Sequence, residues 1–203
     1  MDLHEFVRQY EKEKRYNHTL GVEKEAYELG KIFLPEKCDK LALCGLLHDI
    51  TKNFDTETQL EFCKTHNIVV DEKYLSPKLL HAKTGCLFAR EKLGKEIVDD
   101  EIYNGILYHT TGRENMTLFE TLIYLADYIE PTRTFEDCVK LRDYFYKNIE
   151  KAKNRDEKLD VLRKTMIYSF TLTIEGLIEE NHYIDNDTIL ARNYFLKNEK
   201  CFE

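Results

Sequence analysis

Leu41-Ala42-Leu43-Cys44-Gly45-Leu46-Leu47-His48-Asp49-Ile50 decides the fold. The run is apolar around most of its girth, as befits a helix buried at the centre of an all-helical packing. His48 and Asp49 stand at its end. A buried imidazole beside a buried carboxylate is costly unless both are satisfied, and one divalent cation satisfies both. Further out, a lone His18 lies upstream, His81 and His109 follow in apolar helical stretches, and Asp127 closes the series.

To either side the apolar period is that of a helix. Leu3, Phe6, Val7 and Tyr10 form a first short stripe, with Asp2 as N-cap. His18, Val22, Ala26, Leu29 and Phe33 recur at steps of three and four, which turns His18 inward, and Pro35 ends that run. Asp55 to Asn67 predicts a helix capped by Asp55, with Leu60 and Cys63 facing in. Ser76-Pro77 is a helix start, leading through Leu80, His81, Thr84, Leu87 and Phe88 to a stop at Gly94. Ile102, Ile106 and His109 share a face. Thr117 to Glu120 is a capping box, opening a helix through Leu122, Leu125, Ala126 and Ile129 that Pro131 terminates. Further helices are expected near 136–147 and 156–181, and a last one over 187–198. Ile68-Val69-Val70 is too short to alter the outcome. The fold class is all-α, expected as one domain over residues 1–203.

Three prolines and eight glycines in 203 residues suit long helices, and the hydrophobic and charged fractions of 42% and 33% are those of a soluble globular chain. No apolar run approaches the roughly 18 residues of a membrane span, and Met1-Asp2-Leu3-His4-Glu5 lacks the basic start and apolar centre of a signal peptide. The six cysteines show neither a C-x-x-C pair nor a disulfide spacing, which fits a reducing cytoplasm. A net charge of −8 argues against general nucleic-acid binding. It leaves room for a small anion, because a metal and a few local cations can supply the positive field. Tyr144-Phe145-Tyr146 serves either core or interface, so a homodimer remains open.

Imidazoles mixed with carboxylates suit iron, manganese, zinc or nickel and are too nitrogen-rich for calcium. His18, His48, Asp49 and Asp127 are the expected ligands of one ion. His81 and His109 either complete a second metal site with Asp49 bridging, or hydrogen-bond phosphate oxygens as these gain charge. The two-metal arrangement is favoured. Satisfied core histidines are the plainer alternative for this pair. Lys52, three residues after Asp49 and about one helical turn away, and Arg133, just past Pro131, are candidate phosphate cations. Thr110-Thr111-Gly112-Arg113 is a polar turn offering hydroxyls and N–H groups. No nucleophile elbow, catalytic-cysteine signature or glycine-rich phosphate loop is present in the sequence.

His18, His48-Asp49 and Asp127 resemble the metal signature of the HD-domain phosphohydrolase superfamily. Arg15-Tyr16-Asn17-His18-Thr19-Leu20-Gly21-Val22, Leu46-Leu47-His48-Asp49-Ile50-Thr51-Lys52 and Tyr108-His109-Thr110-Thr111-Gly112-Arg113 resemble the bacterial YqeK family more closely. So do Ala126-Asp127-Tyr128-Ile129-Glu130-Pro131-Thr132-Arg133 and Asp187-Thr188-Ile189-Leu190-Ala191-Arg192-Asn193. The resemblance implies an HD-type helical bundle and a symmetrical bis(5′-nucleosyl)-tetraphosphatase that cleaves diadenosine tetraphosphate into two ADP, with iron as the first-ranked metal. On this basis Asp49, Lys52, His81 and His109 are the catalytic groups. His18, Lys52, His81, His109, Thr110, Arg113 and Arg133 are expected around the nucleotide. An HD phosphohydrolase of mononucleotides or cyclic nucleotides, and a non-catalytic nucleotide sensor, are the competing functions.

Overall fold

The computed structural model describes residues 2–70 and 77–202. Ten α-helices run through the described residues, with no strand among them. They are α1 (Leu3–Arg8), α2 (Glu13–Phe33), α3 (Cys38–Leu47), α4 (Thr56–Thr65), α5 (Pro77–Leu93), α6 (Asp100–Tyr108), α7 (Leu118–Ile129), α8 (Glu136–Ile149), α9 (Arg155–Glu179) and α10 (Asn186–Lys197). The all-α fold class stands.

Local capping explains most starts. Asp2 accepts from the His4 and Glu5 amides, Asp55 from Thr58, and Thr117 and Glu120 form the reciprocal capping box of α7. Ser76 lies outside the described residues; α5 begins at Pro77. The last three helices depart from the expected bounds by one or two residues at their ends, the ordinary uncertainty of fraying termini.

Two expectations need correction. Leu60 is half-buried while its neighbour Gln59 is buried, because the Gln59 amide folds back to donate to the Phe54 carbonyl at 3.0 Å. The central helix also stops sooner than its apolar run suggests. α3 ends at Leu47, and the chain proceeds through tightened turns in which Ile50 N–H bonds Leu47 O (3.2 Å) and Lys52 N–H bonds Asp49 O (2.8 Å). Lys52 therefore stands near Asp49 through a turn and not one turn further along a helix.

α3 is the axis of the packing. It lies against α2, α6 and α7, and Leu41, Cys44 and Leu47 are fully buried there. Val22, Ala26, Leu29 and Phe33 supply the facing stripe of α2; Ile102 and Ile106 that of α6; Leu122, Ile123, Leu125, Ala126 and Ile129 that of α7. Beyond α7, helices α8, α9 and α10 form a second layer around Phe145, Phe170 and Phe195, all buried. Phe145 thus belongs to the core, with the Tyr146 hydroxyl bonded to Glu25 and Tyr144 edge-on to Tyr168. All six cysteines are free thiols and five are buried, where they pack as small apolar groups.

Candidate metal centre

Five elements deliver the polar cluster into this core. His18 comes from α2, His48 caps the end of α3, Asp49 follows in the turn, His81 sits in α5, His109 caps α6, and Asp127 projects from α7. Thr51 ties the turn to α5 by donating to the His81 carbonyl at 3.0 Å and pairing with Thr84 at 2.8 Å. His18, His48, Asp49, His81 and His109 are buried and Asp127 is half-buried.

The two oxygens of Asp49 face different groups. Oδ1 lies 2.9 Å from His81 Nε2 and 3.5 Å from His109 Nε2, and those two nitrogens are 3.0 Å apart. Oδ2 lies 3.5 Å from His48 Nε2 and 3.9 Å from His18 Nε2. Asp127 Oδ1 completes the latter group, 3.0 Å from His18 Nε2 and 3.6 Å from His48 Nε2.

His48 and His109 donate their Nδ1 protons to the carbonyls of Gly45 and Ile106, each at 2.6 Å. Their Nε2 atoms are thereby aimed at the centre. His18 Nε2, His48 Nε2 and Asp49 Oδ1 are buried without an aligned hydrogen bond among the described residues. Close approach without alignment is what atoms converging on a cation share. His18, His48 and Asp127 form one group of donors mutually within 4.8 Å, and His48, Asp49 and His109 another. The donor set fits a divalent ion, and nitrogen with carboxylate oxygen suits a first-row transition metal.

Electrostatics divide the cluster. Burial opposes charge on His48, but the Asp49 and Asp127 carboxylates outweigh it and raise its pKa to about 10. Burial would raise both carboxyls; His48 and His81 hold Asp49 well below the ordinary range, and Arg133 with His18 does the same for Asp127. His81 is pushed down to about 3, chiefly by burial, with the Lys52 ammonium and His109 opposing a further charge. Burial lowers His109 as well. A cation held by these residues would take over the part that the His48 proton plays in balancing the two carboxylates.

An HD domain family model matches residues 15–132 of this chain. The chain belongs to the HD-domain family. The curated symmetrical bis(5′-nucleosyl)-tetraphosphatase of Halalkalibacterium halodurans is 33% identical over 196 residues, covering 97% of this chain and 96% of the relative. That of Bacillus subtilis is 31% identical over 190 residues, 94% of each. A crystal structure described as a predicted HD superfamily hydrolase involved in NAD metabolism, from Clostridium acetobutylicum, superposes with a TM-score of 0.81 at 34% identity, over 96% of this chain and 95% of that one. With relatives of this extent, the chain is a member of the YqeK-type branch of the HD hydrolases, and that membership carries dependence on a divalent metal.

Around the HD residues the structure brings most of the expected groups together. Lys52 Nζ lies 3.1 Å from both ring nitrogens of His81, and burial lowers its pKa. Arg133 donates to Asp127 Oδ1 at 2.5 Å. Lys52, His109, Thr110, Asp127 and Arg133 line the inner end of an open cleft of about 750 Å³ that continues past Tyr128 and Phe135 between α8 and α9. Gly112 takes φ +64°, and a Cβ there would meet the Phe170 ring at 2.6 Å, so the turn after His109 depends on glycine.

Arg113 is the exception. Its guanidinium makes a fork to Glu120, at 3.0 and 2.9 Å, and lies over the Tyr108 ring. The capping-box carboxylate is buried and requires a counter-charge, which Arg113 supplies; it is engaged there and not with the metal cluster.

Two groups at the centre escaped the sequence reading. Arg15 donates to Asp49 Oδ2 at 2.6 Å, and Glu130 accepts from His18 Nδ1 at 2.9 Å. Both carried a signal, since Arg15 precedes His18 by three residues and Glu130 follows Asp127 by three, which is helical spacing onto one face. A fourth arginine, Arg142 of α8, fixes the exit of α7 by donating to the carbonyls of Ile129, Glu130 and Arg133 at 2.6, 2.6 and 2.8 Å.

Proposed function

We propose that this protein is a symmetrical bis(5′-nucleosyl)-tetraphosphatase, hydrolysing diadenosine tetraphosphate to two ADP with iron as its metal, in the cytoplasm and as a single domain. The observation that carries the proposal is the set of buried, unaligned donor atoms of His18, His48 and Asp49 beside the end of a cleft where Lys52 and Arg133 stand next to Asp127. Kinship to two curated tetraphosphatases over nearly the full chain supports the substrate.

His18, His48, Asp49 and Asp127 would hold the first ion, and His81 and His109, with Asp49, would hold a second. The division of the Asp49 oxygens between the two groups of histidines supports that count. When bound, the metal lowers the pKa of water so that hydroxide is available near neutral pH. Lys52 and Arg133 place their charges on phosphate oxygens at the mouth of the cluster, and Thr110 offers a hydroxyl beside them. Holding the terminal phosphates of one nucleoside diphosphate half sets the register of cleavage, so attack falls on the second phosphorus from that nucleoside.

Product analysis in oxygen-18 water tests this. The expected result is two ADP per substrate with one label per turnover. Equal AMP and ATP, or no product from any dinucleoside polyphosphate, overturns it.

A further inference from the structure

His18 is tethered unlike the other histidines of the centre. His48 and His109 give their Nδ1 protons to neutral backbone carbonyls three residues back in the chain. His18 gives its own to the carboxylate of Glu130, from a segment 112 residues away. Glu130 is fully buried, and its carboxylate also accepts from the Thr132 amide and hydroxyl, both at 2.6 Å. Arg142 clamps the backbone on either side of Pro131. Glu130 and Asp127 thus leave one segment to address opposite ends of the same ring: Asp127 at Nε2 and Glu130 at Nδ1.

We infer that Glu130 is a positioning residue for the metal centre, fixing the His18 tautomer and strengthening Nε2 as a donor through its buried negative charge. Resting on the assignment of His18 as a ligand, the inference adds what makes that ligand effective. A carboxylate that accepts only hydrogen bonds leaves the Nδ1 proton one place to go, so the lone pair stays on Nε2. Its charge raises the basicity of the ring, the effect by which an outer carboxylate increases metal affinity about 10- to 100-fold. Gly21 is part of the same device. It lies in α2 one turn after His18, and a Cβ there would overlap Glu130 Oε2 and come within 3.0 Å of its Cδ. The carboxylate reaches His18 only because residue 21 has no side chain.

The test is chelator competition for Fe(II) or Mn(II) under anaerobic conditions on the wild type, Glu130→Gln, Gly21→Ala and His18→Ala, with the thermal melt of the metal-free proteins as a folding control. Glu130→Gln keeps the shape and one acceptor but removes the charge. It is expected to weaken the tighter metal equivalent about 10- to 100-fold, with turnover restored by excess metal and KM for the nucleotide unchanged. Gly21→Ala, which helix propensity alone favours, is expected to weaken the same equivalent while keeping the glutamate. The double variant should add little to either single one, since both act through one contact. If His18→Ala loses the metal while Glu130→Gln and Gly21→Ala bind it as the wild type does, the role of Glu130 is overturned and the ligand assignment survives. If His18→Ala itself binds metal normally, the ligand assignment fails and the inference with it.

Discussion

The two sides of Asp49 are built from the same side chains and behave as opposites. On the His18 side, two imidazoles meet two carboxylate groups, and positive charge is so well accommodated that the His48 pKa rises to about 10. On the other side His81 and His109 share a single carboxylate oxygen, Lys52 stands 3.1 Å away, and His81 is driven down to about 3. Burial is common to both and opposes charge in each; the count of carboxylates decides the sign. The difference teaches that carboxylate count sets how well each side accommodates positive charge, and under the proposed two-metal reading the His18 side is the tighter position.

The most severe way to break this comparison is to remove what the sides share. Asp49→Ala is expected to strip both metal equivalents and lower turnover by at least ~10³-fold, the upper end of what loss of one transition-state-stabilising donor costs. Metal analysis together with product release checks it, and normal metal content with full activity would falsify the shared role.

Cutting one side sharpens the contrast. His81→Ala and His109→Ala should fold, lose about one metal equivalent while keeping the tighter one, and slow turnover by roughly 10²-fold or more. Circular dichroism and metal counts separate the outcomes. Retained metal with lost turnover assigns these rings to phosphate, and unchanged turnover makes them core histidines.

Lys52→Ala probes the competing cation. Removing one charged hydrogen bond to phosphate should raise KM roughly 10- to 100-fold, with the tighter metal unaffected. A fall in kcat at unchanged KM would mean that the ammonium acts in the transition state alone.

An effect on stability alone lies on the His18 flank, where buried Glu11 accepts from Thr19 at 3.1 Å and burial raises its pKa to about 7. A carboxyl whose folded pKa exceeds its unfolded one favours the fold most below the unfolded value of 4.5. That contribution is lost as pH rises through about 7. Denaturant melts of chelated protein should show Glu11→Gln removing this decline, which is on the order of 2–3 kcal/mol across the window. An identical pH slope in wild type and variant would mean that Glu11 has the same pKa in the folded and unfolded states.

The helices were legible because their signals are local. Asp2, Asp55 and the Thr117–Glu120 box cap where a short-range pattern says they should, and the apolar steps from His18 to Phe33 orient α2 without reference to the rest of the chain. His18, His48, Asp49 and Asp127 were legible as a group because each is too polar for its apolar setting. The early end of α3 was not. Neither glycine nor proline marks Leu47, and the turns beyond it are held by contacts such as Thr51 to His81 that span 30 residues. Arg15 and Glu130 stayed hidden for the same reason. A charged residue on a helix is ordinary until its partner, 34 or 112 residues away, is known. Arg113 differs in that its partner Glu120 lies only seven residues on, inside the capping box that the sequence already displayed.

The account turns on two unequal metal positions sharing Asp49, and an anaerobic titration of chelated protein with Fe(II), followed calorimetrically, tests it most directly. Two equivalents should bind, one clearly tighter than the other, with the weaker one alone lost in His81→Ala. A single equivalent, or two of equal affinity that disappear together in that variant, would contradict the account.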